Sequence, residues 1–309
     1  MEDTKLLVTA SPHICDKSST RGKMTAVVLA LVPAIVASTI IFGFRALLVI
    51  AVTTLSGVLF EWLYCFLMKK PIPIGDMSAV VTGIILSLNL PVTIPLWIAV
   101  IGSFVAIVVV KQLFGGIGCN FANPAIVGRI VLAVGFAGRM TAYGFPKSHI
   151  DALASATPFV AGNSIKGSEM FIDLLLGTHG GVLGETCAIA IILGGLFLIL
   201  VGVISPIIPF SFIGTVAVMS LISGQDVILQ LLSGGMLFGA FFMATDYVTS
   251  PFTRLGKLIF GICLGVITCV IRFYGNMAEG TSYAILIMNL FVPYINDLTR
   301  QKPLGGIKK

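Results

Sequence analysis

The sequence predicts an all-helical protein that crosses a membrane about ten times. Hydrophobic residues make up 57% of the 309 residues, charged residues make up only 10%, and the mean hydropathy is +1.06. Soluble domains carry about 25% charged residues, so a chain with so few could not cover a water-exposed surface. Apolar runs close to the length of a bilayer span recur along the chain and indicate a polytopic membrane protein.

The apolar runs form two sets of five. The predicted spans are 24–43, 45–68, 77–91, 95–114, 122–138, 185–204, 206–223, 227–244, 255–272 and 282–297. A first half at 24–138 and a second half at 185–297 are separated by a long loop at 139–184, and segments 1–23 and 298–309 form the two ends. Because five is an odd number, related halves would run in opposite directions through the membrane. Such inverted repeats are common among transport folds.

The distribution of basic residues predicts the orientation of the chain. With the N-terminus inside, 13 of the 19 Lys and Arg residues face the cytoplasm, 5 face outside, and Arg129 lies within a span. This count takes Lys111 as an inner residue and Arg272 as an outer one. Both ends are therefore expected in the cytoplasm of a prokaryotic cell, and the loop 139–184 outside it. The net charge of +6 is explained by this topology, so a nucleic-acid partner is not expected.

The ends and the cysteines exclude several other classes. The first twenty residues contain acids and no sustained apolar run, which argues against a cleaved signal peptide. The six cysteines show no CxxC spacing, so neither a disulfide framework nor an iron–sulfur site is predicted. The three histidines lie outside the predicted spans, which argues against paired haem ligation within the membrane.

Glycine and asparagine interrupt the apolar pattern in both halves. The breaks read "KQLFGGIGCNFANPA" from Lys111 and "RFYGNMAEGTSYA" from Arg272, and the span 77–91 is short. Backbone that leaves a helix at membrane depth must be satisfied by protein or must line a cavity. Short, interrupted spans in both halves indicate a central site, and plain turns between spans are the alternative.

Four acids lie inside spans, at span edges or in a break: Glu61, Asp76, Asp246 and Glu279. An ionisable group at membrane depth costs at least ~2.5–3.5 kcal/mol on insertion scales, so such groups usually serve a pathway or a pair. We take these four acids as ion-pathway candidates. The alternative is a set of interfacial acids paired with Lys69, Arg254 or Arg272.

Five stretches of the chain stand out as possible family motifs: "SPHI" at 11–14, "GDMSAVVTGIILSLNLP" at 75–91, "KQLFGGIGCNFANPA" at 111–125, "MATDYVTSP" at 243–251 and "EGTSYAILIMN" at 279–289. In these stretches the chain resembles the RnfD and NqrB family of membrane flavoprotein subunits. The short N-terminal segment is more similar to RnfD than to NqrB. The resemblance implies an electron carrier in an Rnf-type ferredoxin:NAD oxidoreductase that moves sodium ions or protons outward. Its partners would be RnfA, RnfB, RnfC, RnfE and RnfG in the cytoplasmic (inner) membrane.

The resemblance also implies a flavin attachment site in the long loop. Family members carry FMN joined through its phosphate to a threonine in the motif Asp-x-x-Ser/Thr-Gly/Ser-Ala-Thr, where a flavin transferase attaches it. Here the motif reads "DALASAT" and ends at Thr157, with Ala154 in the place of the usual hydroxyl residue. Small neighbours and the following Pro158 suit a segment that must enter an enzyme cleft without becoming helical.

The resemblance further implies a second, non-covalent flavin (riboflavin or FMN) between the helices. For Arg129, a flavin-phosphate contact and a structural counter-ion both stay open. Two other functions stay open as well: an NqrB-like quinone-reducing subunit, and a secondary transporter or channel that leaves Thr157 unmodified. Colour distinguishes the last of these, since a flavoprotein is yellow and a channel is not.

Overall fold

The computed structural model describes residues 19–143, 168–177, 180–275 and 280–300. Within these ranges every regular element is helical and no β-strand forms, which confirms the all-helical prediction for the described part of the chain. The helices are α1 (Thr20–Phe42), α2 (Phe44–Leu67), α3 (Ser78–Leu88), α4 (Leu96–Phe104), α5 (Pro124–Gly135), α6 (Ala137–Met140), α7 (Ser168–Leu176), α8 (Ala188–Leu200), α9 (Ile207–Ile222), α10 (Val227–Leu232), α11 (Met236–Phe238), α12 (Arg254–Tyr274) and α13 (Gly280–Leu298).

Three elements depart from the α-helical form. A 3₁₀ turn at Ile74–Asp76 precedes α3. Helix α4 continues as a π-helix over Val105–Gln112, and α11 continues as a π-helix over Gly239–Met243. π-Helical segments are rare and occur frequently at functional sites.

Three of the described helices, α1, α2 and α12, are long and apolar enough to cross a membrane by length and composition. Five shorter stretches are also apolar: α3, α4 with its π-helical extension, α5, α8 and α9. Helix α3 has 11 residues and rises about 16–17 Å, roughly half of the ~30 Å hydrocarbon core. The chain is therefore a helical membrane protein, although several predicted spans are shorter than a full crossing.

The predicted span 227–244 is wrong as one continuous helix. Helices α10 and α11 are separated at Ser233, Gly234 and Gly235, and the two glycines have φ angles of +67° and +66°. Glycine adopts this left-handed conformation without a steric penalty, so the Ser-Gly-Gly run ends α10 and begins α11. The apolar periodicity continues across the break and hides it.

Helices α9 and α12 form a close pair in the second half. A Cβ added at Gly261 would lie 1.9 Å from Ser211 Oγ, and one added at Gly265 would lie 2.5 Å from Thr215 Cβ. Small residues four positions apart allow helix backbones to approach closely, and this packing replaces the hydrophobic driving force that is missing in lipid.

Two helix pairs join the halves of the chain. Helix α1 packs against α8, where a Cβ at Gly194 would lie 2.2 Å from Ala30 O, and α5 packs against α13. The α1–α8 pair thus joins the first helices of the two halves, and the α5–α13 pair joins their last long helices.

The end of the loop 139–184 is buried against the end of α3. Leu183 N donates to Leu90 O at 3.1 Å, Gly184 N donates to Leu88 O at 2.7 Å, and Ser38 Oγ donates to Leu183 O at 2.5 Å. These bonds satisfy backbone groups beyond the last turn of α3. The short helix is therefore completed by loop backbone, as membrane depth requires.

Candidate functional site

A cavity opens at the end of the molecule where α1, α3 and α5 begin and where α4 and α8 end. Its volume, including the mouth, is about 820 Å³. Its polar lining includes Lys23, Ser78, Lys111, Asn120, Asn123 and Asp246. Both π-helical segments reach it, the first through Lys111 and the second through Phe241 and Phe242.

Two helix N-termini are fixed by side chains at this cavity. Asn123 Oδ1 accepts a hydrogen bond from Ala125 N at 3.0 Å and caps α5, whose first residue is Pro124. Asp76 Oδ1 accepts from Ser78 N at 2.8 Å and from Ser78 Oγ at 2.5 Å at the start of α3. Asn and Asp are favoured in this role because their oxygens satisfy the free N–H groups of the first turn.

A buried ion pair lies beside the start of α3. Lys111 Nζ lies 2.6 Å from Glu61 Oε1, and the two side chains are 4% and 0% exposed. Gln112 Nε2 donates to the same oxygen at 2.6 Å, and Lys111 Nζ also donates to Ser78 Oγ at 2.6 Å. Helices α2, α3 and α4 are thus joined by one polar cluster, in which Asp76 takes part through Ser78.

Two consecutive residues at the π-helical end of α4 bind one oxygen. In the π-helix Val105–Gln112, Lys111 and Gln112 both donate to Glu61 Oε1. The π-helical segment therefore supplies both hydrogen-bond donors to this oxygen.

Asp246 lies on the opposite wall of the cavity, in the non-helical segment between α11 and α12. Its Oδ2 accepts a hydrogen bond from Thr249 Oγ1 at 3.0 Å. Burial raises the pKa of the Asp246 carboxyl above its ordinary value, and hydrogen bonds from Thr249 and from the backbone of Val248 and Tyr247 oppose this rise. A carboxyl with a perturbed pKa in a cleft is a candidate for a functional group.

Arg129 occupies the centre of the molecule, between the halves. Its Nη1 donates to Asn89 Oδ1 at 3.1 Å and to Ser282 Oγ at 2.5 Å, so α5 is bonded to the end of α3 and to α13. Asn123 Nδ2 donates to Met243 O at 3.3 Å and adds a second bond across the same boundary. These contacts give Arg129 a structural role, and the flavin-phosphate contact stays untested.

The structure brings together three of the five predicted site residues. Glu61 is buried in the ion pair, Asp76 joins the same cluster, and Asp246 lines the cavity that Lys111 also lines. The other two, Thr157 and Glu279, lie outside the described residues, so their assignment stays a prediction.

Two basic residues differ from the sequence prediction. The predicted topology has Lys111 facing the cytoplasm and Arg272 facing outside, yet they are only 3% and 4% exposed. The partner of Glu61 is Lys111 rather than Lys69, Arg254 or Arg272. One sequence signal indicates that Lys111 is buried and needs a partner, since it directly follows a continuous apolar run and ionisable groups at membrane depth usually pair.

The lining of the cavity has the chemistry that a flavin site needs. Ligand sites combine apolar walls with a few fixed polar groups. Here Phe241, Phe242 and Tyr247 offer aromatic surface for a planar ring, and Lys111 and Asn120 offer donors at one side.

The fold and the site together define a polytopic helical membrane protein with a charged cavity at one end of its helices. The model of the NQR2, RnfD, RnfE family matches residues 7–305. The chain belongs to this family.

Individual relatives align over nearly the full chain. It is 43% identical over 313 residues to the D subunit of the Na⁺-translocating ferredoxin:NAD⁺ oxidoreductase complex of Acetobacterium woodii, covering 100% of this chain and 98% of the relative. It is 38% identical over 318 residues to the D subunit of the proton-translocating ferredoxin:NAD⁺ oxidoreductase complex of Clostridium ljungdahlii, covering 96% of each. It is 34% identical to the D subunit of the ion-translocating oxidoreductase complex of Mannheimia succiniciproducens, covering 96% of this chain and 97% of the relative.

Proposed function

We propose that this chain is the D subunit of an Rnf-type, ion-translocating ferredoxin:NAD oxidoreductase and carries electrons within that complex. One observation supports this most strongly: full-length similarity to such subunits coincides with a cavity that brings a buried ion pair beside aromatic walls. The partners are the other Rnf proteins, RnfA, RnfB, RnfC, RnfE and RnfG, within the inner membrane.

The electron carrier that we propose first is FMN, joined through its phosphate to the hydroxyl of Thr157 by a flavin transferase. The motif "DALASAT" at 151–157 and the position of the loop between the two halves support this assignment. We also propose that the loop 139–184 lies outside and both chain ends lie in the cytoplasm, as the distribution of basic residues favours. The cavity would then open toward the cytoplasm, because α1 begins there.

A second, non-covalent flavin is proposed for the cavity. Phe241, Phe242 and Tyr247 would pack on its ring, and Lys111 and Asn120 would donate hydrogen bonds to its polar edge. Such a group supplies the redox chemistry, while the protein supplies position and electrostatics. The exposed mouth would allow electrons to pass to a neighbouring subunit.

Ion movement is assigned to the acids at this cavity. Glu61, Asp76 and Asp246 are proposed as groups that hold a sodium ion or a proton in transit, and Glu279 is proposed as a further one in the second half. An ion in transit offsets the charge of a buried carboxylate, which otherwise carries a large cost at membrane depth. The named relatives differ in their ion, so Na⁺ and H⁺ both remain candidates.

The inverted repeat is also proposed, on the basis of matching helix contacts. In the first half α2 packs on α4, α4 on α5 and α1 on α3; in the second, α9 packs on α12, α12 on α13 and α8 on α11. These three contacts correspond to one another if α10 and α11 together are the counterpart of α3.

The flavin assignment is tested by in-gel fluorescence after denaturing electrophoresis. Thr157→Ala should remove the fluorescent band while the protein still inserts, because the ester oxygen is lost. Thr141→Ala removes a hydroxyl from a neighbouring segment and should leave the band unchanged. A fluorescent band that persists in Thr157→Ala refutes the attachment site, and a colourless wild-type complex refutes the flavoprotein function in favour of a transporter or channel.

A further inference from the structure

The Lys111 ammonium lies between two carboxyl groups. It contacts Glu61 Oε1 at 2.6 Å and reaches Asp76 through Ser78, whose hydroxyl accepts from Lys111 and donates to Asp76 Oδ1. Asp76 is only partly buried, whereas Glu61 and Lys111 are buried. A buried carboxylate without a counter-charge is costly, so Lys111 can leave Glu61 only if another monovalent cation replaces it.

One oxygen of this cluster is available to such a cation. Glu61 is fully buried, and its Oε1 receives the hydrogen bonds of both Lys111 and Gln112. Its Oε2 has no hydrogen-bond partner among the described residues. A structural ion pair would normally satisfy both oxygens, because an unsatisfied buried acceptor is unfavourable.

The remaining polar neighbours do not supply this partner. The Cys65 thiol lies 3.9 Å from Gln112 Oε1, and its charged surroundings are Glu61, Lys70 and Lys111. None of these groups donates a hydrogen bond to Glu61 Oε2.

Lys111 contacts the cavity as well as Glu61. It belongs to the lining of the cavity as well as to the ion pair. Its ammonium is a compact charge on a flexible four-carbon stem, which allows it to change partners without moving the helix. It therefore connects Glu61 to whatever charge the cavity holds.

We propose that Lys111 is an internal counter-cation that competes with the transported cation for Glu61. When negative charge arrives in the cavity, the ammonium turns toward it, and a proton or Na⁺ takes its place on Glu61. When the negative charge leaves, the ammonium returns and displaces the cation. Each exchange pairs one added negative charge with one added cation. The inference rests on the proposed function, because it takes the cavity as an electron-carrying site.

The first test uses the purified wild-type complex and needs no variant. The midpoint of thermal unfolding is measured as a function of NaCl concentration in the oxidised and in the dithionite-reduced complex. Choline chloride is the ionic-strength control. A pH series without Na⁺ tests whether the cation is a proton. The apparent affinity for one of these cations should be about 5- to 150-fold tighter in the reduced complex, the usual range for coupled sites. Equal affinities in both redox states, for both cations, overturn the inference.

Variants then identify the residue. In Lys111→Met the cation should bind with the same affinity in both redox states, since its competitor is gone. Lys257→Met is the matched control: Lys257 lies in α12 and does not belong to the lining of the cavity. This control should keep the redox dependence, and a Lys111→Met variant that also keeps it refutes the proposal.

A double variant separates this role from a structural one. Glu61→Gln with Lys111→Met removes both charges and leaves the buried site neutral, so assembly should survive even if Lys111→Met alone fails to fold. We expect electron transfer without cation dependence. Wild-type ion movement per electron, or failure of this neutral variant to assemble, shows a role in packing and overturns the inference. A wild-type complex that contains no flavin, or that does not transfer electrons from ferredoxin to NAD, would instead refute the proposed function.

Discussion

Replacing Arg272 by Met should strongly destabilise the second half of the protein. Arg272 lies near the end of α12, where it is 4% exposed. Its Nη1 donates to Gln230 O at 2.6 Å, and its Nη2 donates to Ser233 O at 3.0 Å and to Gly234 O at 2.8 Å. These carbonyls close the broken end of α10, so one guanidinium satisfies the backbone at the point where the helix stops supplying partners.

The size of the effect follows from these bonds. An unsatisfied buried acceptor costs about 1–3 kcal/mol. Gln230 O and Ser233 O lose this donor together, whereas Gly234 O keeps a second donor, Thr281 Oγ1. Relief of the buried positive charge offsets part of this sum, so we expect a loss of about 3–5 kcal/mol, as for other broken buried charge contacts. For a large domain each kcal/mol lowers the unfolding midpoint by about 2 °C or more, which gives a fall of roughly 6–10 °C.

Thermal unfolding with a thiol-reactive dye measures this change in a background in which the other four cysteines are replaced, because Cys65 and Cys269 are buried and react only after the helices separate. Arg254→Met is the matched control, since Arg254 is an exposed residue at the other end of the same helix. Arg272→Lys should be intermediate, because an ammonium keeps the charge but lacks the planar fork. Equal midpoints for Arg272→Met and Arg254→Met would refute the reasoning.

Two further predictions concern packing and orientation. Gly265→Ala should lower the unfolding midpoint by several degrees, because the new Cβ would lie 2.5 Å from Thr215 Cβ; Gly214→Ala on the facing helix meets no atom within 4 Å and should raise the midpoint slightly through helix propensity. Equal shifts for the two variants would contradict the close α9–α12 contact. In a background without native cysteines, Ser164→Cys should react with a membrane-impermeant thiol reagent in whole cells and Lys308→Cys should not. The reverse pattern would overturn the proposed orientation.

Much of the helical framework could be predicted from the sequence, because apolar runs report directly on which segments leave water. The bounds of α1, α2 and α12 agree with the predicted spans to within four residues. The break at Gly234 and Gly235 could not be predicted in this way, because hydrophobicity continues across it. The π-helical segments could not be predicted either, since they depend on tertiary packing rather than on composition.

The candidate site shows the same limit. The sequence indicates that Glu61 is buried, because it lies within an apolar run. It does not identify Lys111 as the partner, because the two residues are 50 positions apart and meet only through the packing of α2 on α4. Thr157 stays a prediction that rests on a motif, and Arg129 gains bonds to Asn89 and Ser282 that no local pattern indicates.

The separation of Glu61 and Lys111 along the chain also has a consequence for biosynthesis. Ribosomes add about 5–20 residues per second, so the 50 residues between the two take roughly 3–10 s to make. During that interval α2 has its acid without the base that will neutralise it. The nascent first half can therefore form its buried ion pair only after α4 has been made. A chain that stalls before Lys111 exposes an unpaired acidic residue in the membrane, where proteases can recognise it as misfolded.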